Sequence, residues 1–358
     1  MKKYLYRLAT DQINTPVAKV FKLLLWVLSL VYGLIVRGIL ISYALGFSKK
    51  QRLGKPVISV GNITFGGTGK TPLVELVAQY LKTKNKKSVI LTRGYMDKKF
   101  LGTSPSGSGS DEARQLTNSL RDIPVIIGAD RFESGRQALA QYPVDVFLLD
   151  DGFQHWRLER DLDIVLVDTS RPFGNGHLIP RGILREPLSA LRRASIFVLT
   201  KTDLGQKNLE TVRAILSKIN PKAPIIETMH GPLDFVNMRT QQSKALSSLG
   251  RKMTCSFCGI GDPVSFEHYL KNLGVDLRKN FAFIDHHVYK RCEIESIVKF
   301  CLYHSIHTLV TTEKDSVKVK EFLKYIDEDI EVLYLRIKIF IVQGEDEFFS
   351  GIAGVLDR

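Results

Sequence analysis

The stretch Gly61-Asn62-Ile63-Thr64-Phe65-Gly66-Gly67-Thr68-Gly69-Lys70-Thr71-Pro72 decides the fold. The apolar run Pro56-Val57-Ile58-Ser59-Val60 leads into it, and apolar residues at helical spacing, Leu73, Val74, Leu76, Val77, Tyr80 and Leu81, lead out. This pattern predicts strand, glycine loop and helix, the frame of a phosphate-binding loop. Glycines let successive backbone N–H groups converge on phosphate oxygens, and the helix N-terminus adds a partial positive charge. In such a loop Thr64, Gly66, Gly67, Thr68 and Gly69 cradle the phosphates. Lys70 reaches the β- and γ-phosphates, and the Thr71 hydroxyl binds Mg²⁺. Thr64 stands where the strict motif has glycine.

Downstream, Ser88–Thr92, 124–128 and Val144–Leu149 read as further core strands, with a helix from 131 to Gln141. Residues 98–110 are Gly/Ser-rich and without period, a surface loop ahead of a helix that Ser110 or Asp111 caps. The run 144–149 ends in Asp150-Asp151-Gly152-Phe153-Gln154-His155. Acids at the C-terminal end of an apolar strand, in a chain with a phosphate loop, have the form of a second Mg²⁺-binding element. Two adjacent carboxylates there are costly unless a cation neutralises them. With 163–167 and 195–199 as further strands, the fold class is α/β: a mostly parallel P-loop NTPase-type sheet with helices on both faces. After about residue 225 a smaller second α/β lobe begins, including a strand at 281–289 that ends in Asp285-His286-His287.

The net charge of +14 is concentrated at the N-terminus, where residues 1–55 hold ten Lys or Arg against one acid, Asp11. Between those cations residues 23–36 carry no charge, and 38–45 continue the apolar run past Arg37. We expect a helix in or on the cytoplasmic leaflet of the inner membrane, with Trp26, Tyr32 and Tyr43 at the interface and the cations on anionic head groups. No aromatic-interleaved basic platform accompanies the charge, which argues against nucleic acid. The expected division is therefore 1–50 for the basic, apolar helix, 51–225 for the P-loop core and 226–358 for the smaller lobe, in a monomeric protein.

Two motifs point elsewhere. Thr200-Lys201-Thr202-Asp203 follows a strand where guanine-specific NTPases carry Asn-Lys-x-Asp, which leaves a GTPase or metallochaperone-like switch as the alternative function. Cys255-Ser-Phe-Cys258 has the spacing of half a zinc site, but no second pair completes it, so a buried strand is expected.

Taken together, the phosphate loop, Arg93-Gly94-Tyr95, Asp111-Glu112, Asp130-Arg131, Asp150 to His155, Leu184-Arg185-Glu186-Pro187, Asp285-His286-His287 and Thr311-Thr312-Glu313-Lys314-Asp315 resemble the tetraacyldisaccharide 4′-kinase family, the lipid A 4′-kinases. The resemblance implies ATP- and Mg²⁺-dependent phosphorylation of an acylated glucosamine disaccharide lipid. It implies Lys70 and the loop on the triphosphate, with Thr71, Asp150 and Asp151 on the metal. Asp111 matches the candidate base for the sugar hydroxyl and His286 the histidine that pairs with it. Arg131 and Glu186 match further site positions, as a nucleotide contact and a metal ligand.

Overall fold

The computed structural model describes residues 15–93, 111–285 and 287–356, together with Leu8, Asp11 and Ile13. These fall into two compact units. The first draws on residues 1–94, 120–229 and 340–358, the second on 95–119 and 230–339.

Helix α1 (Pro16–Ala44) opens the first unit, followed by β1 (Val57–Asn62), α2 (Lys70–Thr83) and β2 (Ser88–Thr92). Helix α3 (Asp111–Ser119) belongs to the second unit. The first resumes with β3 (Val125–Ile127), α4 (Arg131–Gln141), β4 (Val146–Asp150), β5 (Leu162–Asp168), β6 (Ile196–Thr200) and α5 (Gln206–Ile219). Strand β7 (Ile225–Asn237) carries the chain into the second unit. There follow β8 (Ser243–Lys244), β9 (Met253–Cys258), α6 (Pro263–Asn272), β10 (Asp276–Ala282), α7 (Arg291–Tyr303), β11 (Thr308–Thr312) and α8 (Glu313–Val319). Strand β12 (Glu331–Gln343) returns it to the first, which closes with α9 (Glu345–Leu356).

In the first unit the strand order is β7-β6-β5-β1-β4-β2-β3, and the registered pairings are all parallel. Every residue of β1, β2, β4 and β6 is buried, as expected of parallel strands covered on both faces. That is why they read as unbroken Val/Ile/Leu runs rather than alternating ones. Strand β1 lies between β4 and β5, so the chain winds outward in one direction and then the other from this strand. Ligands of such sheets bind beyond the strand C-termini at that reversal. The register Val60↔Asp150 brings the last residue of β4 to the root of the phosphate loop.

In the second unit β9 pairs in parallel with β10 and β11, and β11 with β12, while β8 lies antiparallel on β7. Its two apolar clusters centre on Phe257 with Ile294 and on Phe235 with Phe266. Cys255 and Cys258 are buried, unbridged residues of β9, in keeping with the strand reading.

The division differs from the expected one in three places, the first being that α1 belongs to the first unit instead of standing apart. Helix α9 falls in the first unit because Phe348, Ile352 and Val355, spaced for one helical face, are buried and Phe349 stacks on Tyr80 of α2 at 4.3 Å. Those three buried side chains contribute roughly 1.5–3 kcal/mol each. Helix α3 falls in the second because it packs on α8, burying Ala113 and Leu116. The strand expected to run to the histidines stops at Ala282. The chain turns at Asp285 instead, where the His287 N–H donates to the Ile284 carbonyl at 3.1 Å.

Helix α1 begins at Thr15, whose Oγ1 accepts from the Ala18 N–H at 3.2 Å, with Pro16 at its first position. Its 29 residues span about 44 Å at 1.5 Å per residue. Leu23, Leu24, Val27, Leu28, Val31, Leu34 and Ile35 are exposed. By length and composition the helix suffices to cross a membrane.

Candidate active site

The phosphate loop occupies residues 63–69 between β1 and α2. Gly69 caps the helix with φ at +87°, a left-handed conformation that glycine adopts without strain. Side chains brace the rest of the loop. The buried Asn62 amide donates from Nδ2 to Thr68 Oγ1 at 2.9 Å and Thr64 Oγ1 at 3.3 Å. This explains Thr64 in a glycine position: its hydroxyl accepts a bond across the loop. From β6, the buried Thr200 Oγ1 donates to the Thr68 carbonyl at 3.0 Å. The segment 183–185 pairs with the loop along its backbone. The Arg185 N–H donates to the Ile63 carbonyl at 2.7 Å, and the Phe65 N–H to the Ile183 carbonyl at 2.8 Å.

Two acids end β4. Asp150 is 2% exposed, and its Oδ2 accepts from Thr92 Oγ1 at 3.1 Å. Asp151 follows with φ at +52° and meets two cations. Arg185 grips it with both terminal nitrogens, at 2.8 and 2.9 Å, and Lys70 Nζ lies 3.8 Å away. Burial pushes the Asp151 carboxyl up, but the charge of Lys70 and the bonds and charge of Arg185 outweigh it and hold the group at about 2. The Arg185 guanidinium also bonds the Asn62 side-chain and backbone oxygens and lies 5.8 Å over the Phe65 ring. One arginine thus joins the loop to the acid.

Arg131 is 3% exposed at the first turn of α4, and burial and the like charge of Arg93 lower its pKa against the pull of Asp150 and Asp151. It therefore belongs to the same electrostatic cluster. Glu186 is fully buried. Its carboxylate accepts from Gln154 Nε2 at 3.1 Å and Arg193 at 2.9 Å, and the same Gln154 nitrogen donates to the Asn62 carbonyl at 2.9 Å. Burial, with Arg131 and Arg160 beside it, pushes His155 down to about 4.

The structure thus gathers Thr64, Thr68, Lys70, Arg131, Asp150 and Asp151 in the first unit. The Asp111 side chain and His286 lie outside the described residues. Both positions fall in the second unit. The neighbouring His287 bonds Glu293 Oε2 at 2.9 Å and stacks on Phe283 at 4.6 Å. Among the described residues no group of three His, Cys, Asp or Glu side chains is gathered closely enough to hold a metal ion. Sequence reasoning missed Asn62, Thr200 and Gln154. Asn62 and Thr200 carried a signal, each a polar residue ending a mostly apolar strand.

A parallel sheet with a lysine-bearing phosphate loop, and with paired carboxylates on the neighbouring strand, defines a P-loop phosphotransferase. Residues 21–356 match the family described as tetraacyldisaccharide-1-P 4′-kinase. The chain is 32% identical to the tetraacyldisaccharide 4′-kinase of Halothermothrix orenii, over 95% of this chain and 94% of that one. It is 37% identical to that of Syntrophus aciditrophicus, over 84% of each. It also superposes on the crystal structure of LpxK from Aquifex aeolicus, solved with ATP, with a TM-score of 0.72 at 29% identity, covering 92% of this chain and 97% of the other. The chain belongs to the tetraacyldisaccharide 4′-kinase family and is a kinase of lipid A biosynthesis. This membership decides against the GTPase switch. Thr200, the residue that departs from the guanine motif, braces the phosphate loop, and Lys201 pairs with Asp168 at 2.7 Å.

Proposed function

We propose that the protein transfers the γ-phosphoryl group of ATP to the 4′-hydroxyl of a tetraacylated glucosamine disaccharide 1-phosphate. The observation that carries this reading is Lys70 at the head of α2, beside Asp151 and a braced phosphate loop, in a chain of this kinase family. The amides of 66–69 and Lys70 hold the triphosphate, and Arg131 adds charge from α4. The donors that suit Mg²⁺ are the Thr71 hydroxyl and the Asp150 carboxylate, hard oxygens of the kind Mg²⁺ takes beside phosphate oxygens; Asp151, expected as a second carboxylate ligand, is gripped by Arg185 and lies beside Lys70, so we assign it to balancing their charge. When bound, the ion neutralises charge on the β- and γ-phosphates. Glu186, expected as a further ligand, is committed to Arg193 and Gln154, so we assign it to holding Gln154 against Asn62.

Asp111 acts as the general base on the sugar hydroxyl and His286 orients it, a role that contributes roughly 10²–10⁴-fold. We place the protein as a monomer on the cytoplasmic face of the inner membrane, with α1 on anionic lipid and no nucleic-acid partner. Each buried CH₂ holds a lipid in the bilayer by about 0.8 kcal/mol, so a four-chain substrate stays there and the enzyme must come to it.

Incubation with labelled ATP, Mg²⁺ and disaccharide 1-phosphate in mixed micelles tests the reading. The wild type is expected to label the lipid, Lys70→Ala to lose about a thousand-fold and Asp111→Ala about a hundred-fold or more. An unlabelled lipid with the wild type would falsify the kinase; full turnover in Asp111→Ala would remove its base.

A further inference from the structure

Helix α1 is more than an anchor in this structure. On the face opposite its exposed leucines and valines, Ser29, Gly33 and Val36 are buried, spaced four and three residues apart as one helical face requires. A Cβ on Gly33 would lie 2.9 Å from Leu178 Cδ1, so a larger residue here displaces that methyl or the helix. The neighbouring Tyr32 donates its hydroxyl to the Arg185 carbonyl at 2.8 Å. At the start of the helix Asp11 pairs with Lys22 at 2.8 Å and Arg181 at 2.9 Å and accepts from Asn175 Nδ2 at 2.8 Å. The segment 176–188 therefore meets α1 directly at Leu178 and Arg185, and at Arg181 through Asp11, which Lys22 of the helix holds. The same segment is the backbone partner of the phosphate loop, through Arg185 to Ile63 and Phe65 to Ile183.

We infer that Tyr32 is a positioning residue for the phosphate loop: seating of α1 on the segment 176–188 holds residues 63–65 in the register that receives nucleotide. This rests on the reading of 63–71 as the phosphate site. A phenylalanine at 32 keeps the ring and removes only the hydroxyl, leaving the Arg185 carbonyl without that donor. A net hydrogen bond of this kind corresponds to about 3- to 10-fold in an equilibrium constant. A valine at 33 acts independently, by wedging the helix away from Leu178.

The test measures the Kd of a fluorescent ATP analogue on full-length protein in detergent, and partitioning onto phosphatidylethanolamine–phosphatidylglycerol vesicles. Tyr32→Phe and Gly33→Val are expected to weaken ATP about 3- to 10-fold with wild-type Tm and partitioning. Val27→Ser, on the exposed face, is expected to weaken partitioning and leave ATP affinity unchanged. Wild-type ATP affinity in both Tyr32→Phe and Gly33→Val overturns the inference. A wild type that binds no ATP counts instead against the phosphate-loop reading beneath it.

Discussion

The phosphate loop and the turn at Asp285 are held in contrasting ways. The loop is braced by side chains from three directions: Asn62 across its base, Thr200 from β6 and Arg185 from the segment that pairs with it. Around Asp285 the His287 N–H donates to the Ile284 carbonyl, and Ile284 and Val288 are 66% and 80% exposed. Lys314 pairs with the half-exposed Asp285 at 3.2 Å, and behind it His287 lies among Phe283, Tyr289 and Glu293. The bracing of the loop follows from the chemistry it serves. Donors that stabilise charge on a transferring phosphoryl group must be fixed before the reaction, because reorganising them during it costs barrier height.

The largest effect that tests this contrast is at Asp151. Asp151→Asn removes the charge that balances Lys70 and Arg185, and phosphoryl transfer is expected to fall about 100-fold, measured as kcat with saturating Mg²⁺. A loss below about threefold would mean that the loop does not depend on this acid. The sign of its pH dependence also follows. A carboxyl held at about 2 from an ordinary 3.8 contributes stability that is complete above the ordinary value and is lost as pH falls through the lowered one. Asp151 titration therefore leaves activity near neutral pH untouched.

A smaller effect is expected at Thr200. Thr200→Val keeps the shape and removes the bond to the Thr68 carbonyl, leaving a buried acceptor unpaired. That is worth about 1–2 kcal/mol, or roughly tenfold in kcat/KM for ATP. Thr200→Ser restores the hydroxyl and is expected to stay within about twofold of wild type. Equal losses in both variants would show that packing, not the brace, matters there.

The first unit was largely legible because its signals are local. Buried parallel strands are continuous apolar runs, and a phosphate loop is contiguous, so Val57–Val60, Lys70 and Asp150 could each be read where they stand, though the strand runs two residues further, to Asn62. What brings partners together over long separations could not. Arg185 reaches Asp151 across 34 residues and Thr200 reaches Thr68 across 132, and no period or spacing encodes either contact. Helix α9 illustrates the same limit. Its apolar face at Phe348, Ile352 and Val355 says that something covers it, not which unit does. At 281–289 the residues were β-rich but the chain turns, since His287 and Tyr289 close an aromatic group with Phe283 that only tertiary packing supplies. Local propensity yields to such packing routinely.

The smallest expected effect is at His287, and it bears most directly on the contrast. Two histidines stand side by side, and sequence alone does not say which one serves the reaction. His287 Nε2 is engaged with Glu293 Oε2, and its ring lies against Phe283. Glu293 in turn accepts from the Lys290 N–H at 2.8 Å and so caps α7. A ring nitrogen so engaged is poorly placed to exchange protons with a substrate, and its work is to fix the base of the turn. His287→Gln keeps a donor within reach of Glu293 and is therefore expected to lower kcat by no more than about fivefold, with ATP affinity unchanged. His286→Gln is expected to cost about a hundred-fold under the same conditions. The reverse order, with His287 the costly one, would mean that the turn is anchored by some other residue and that His287 leaves Glu293 to act on the acceptor.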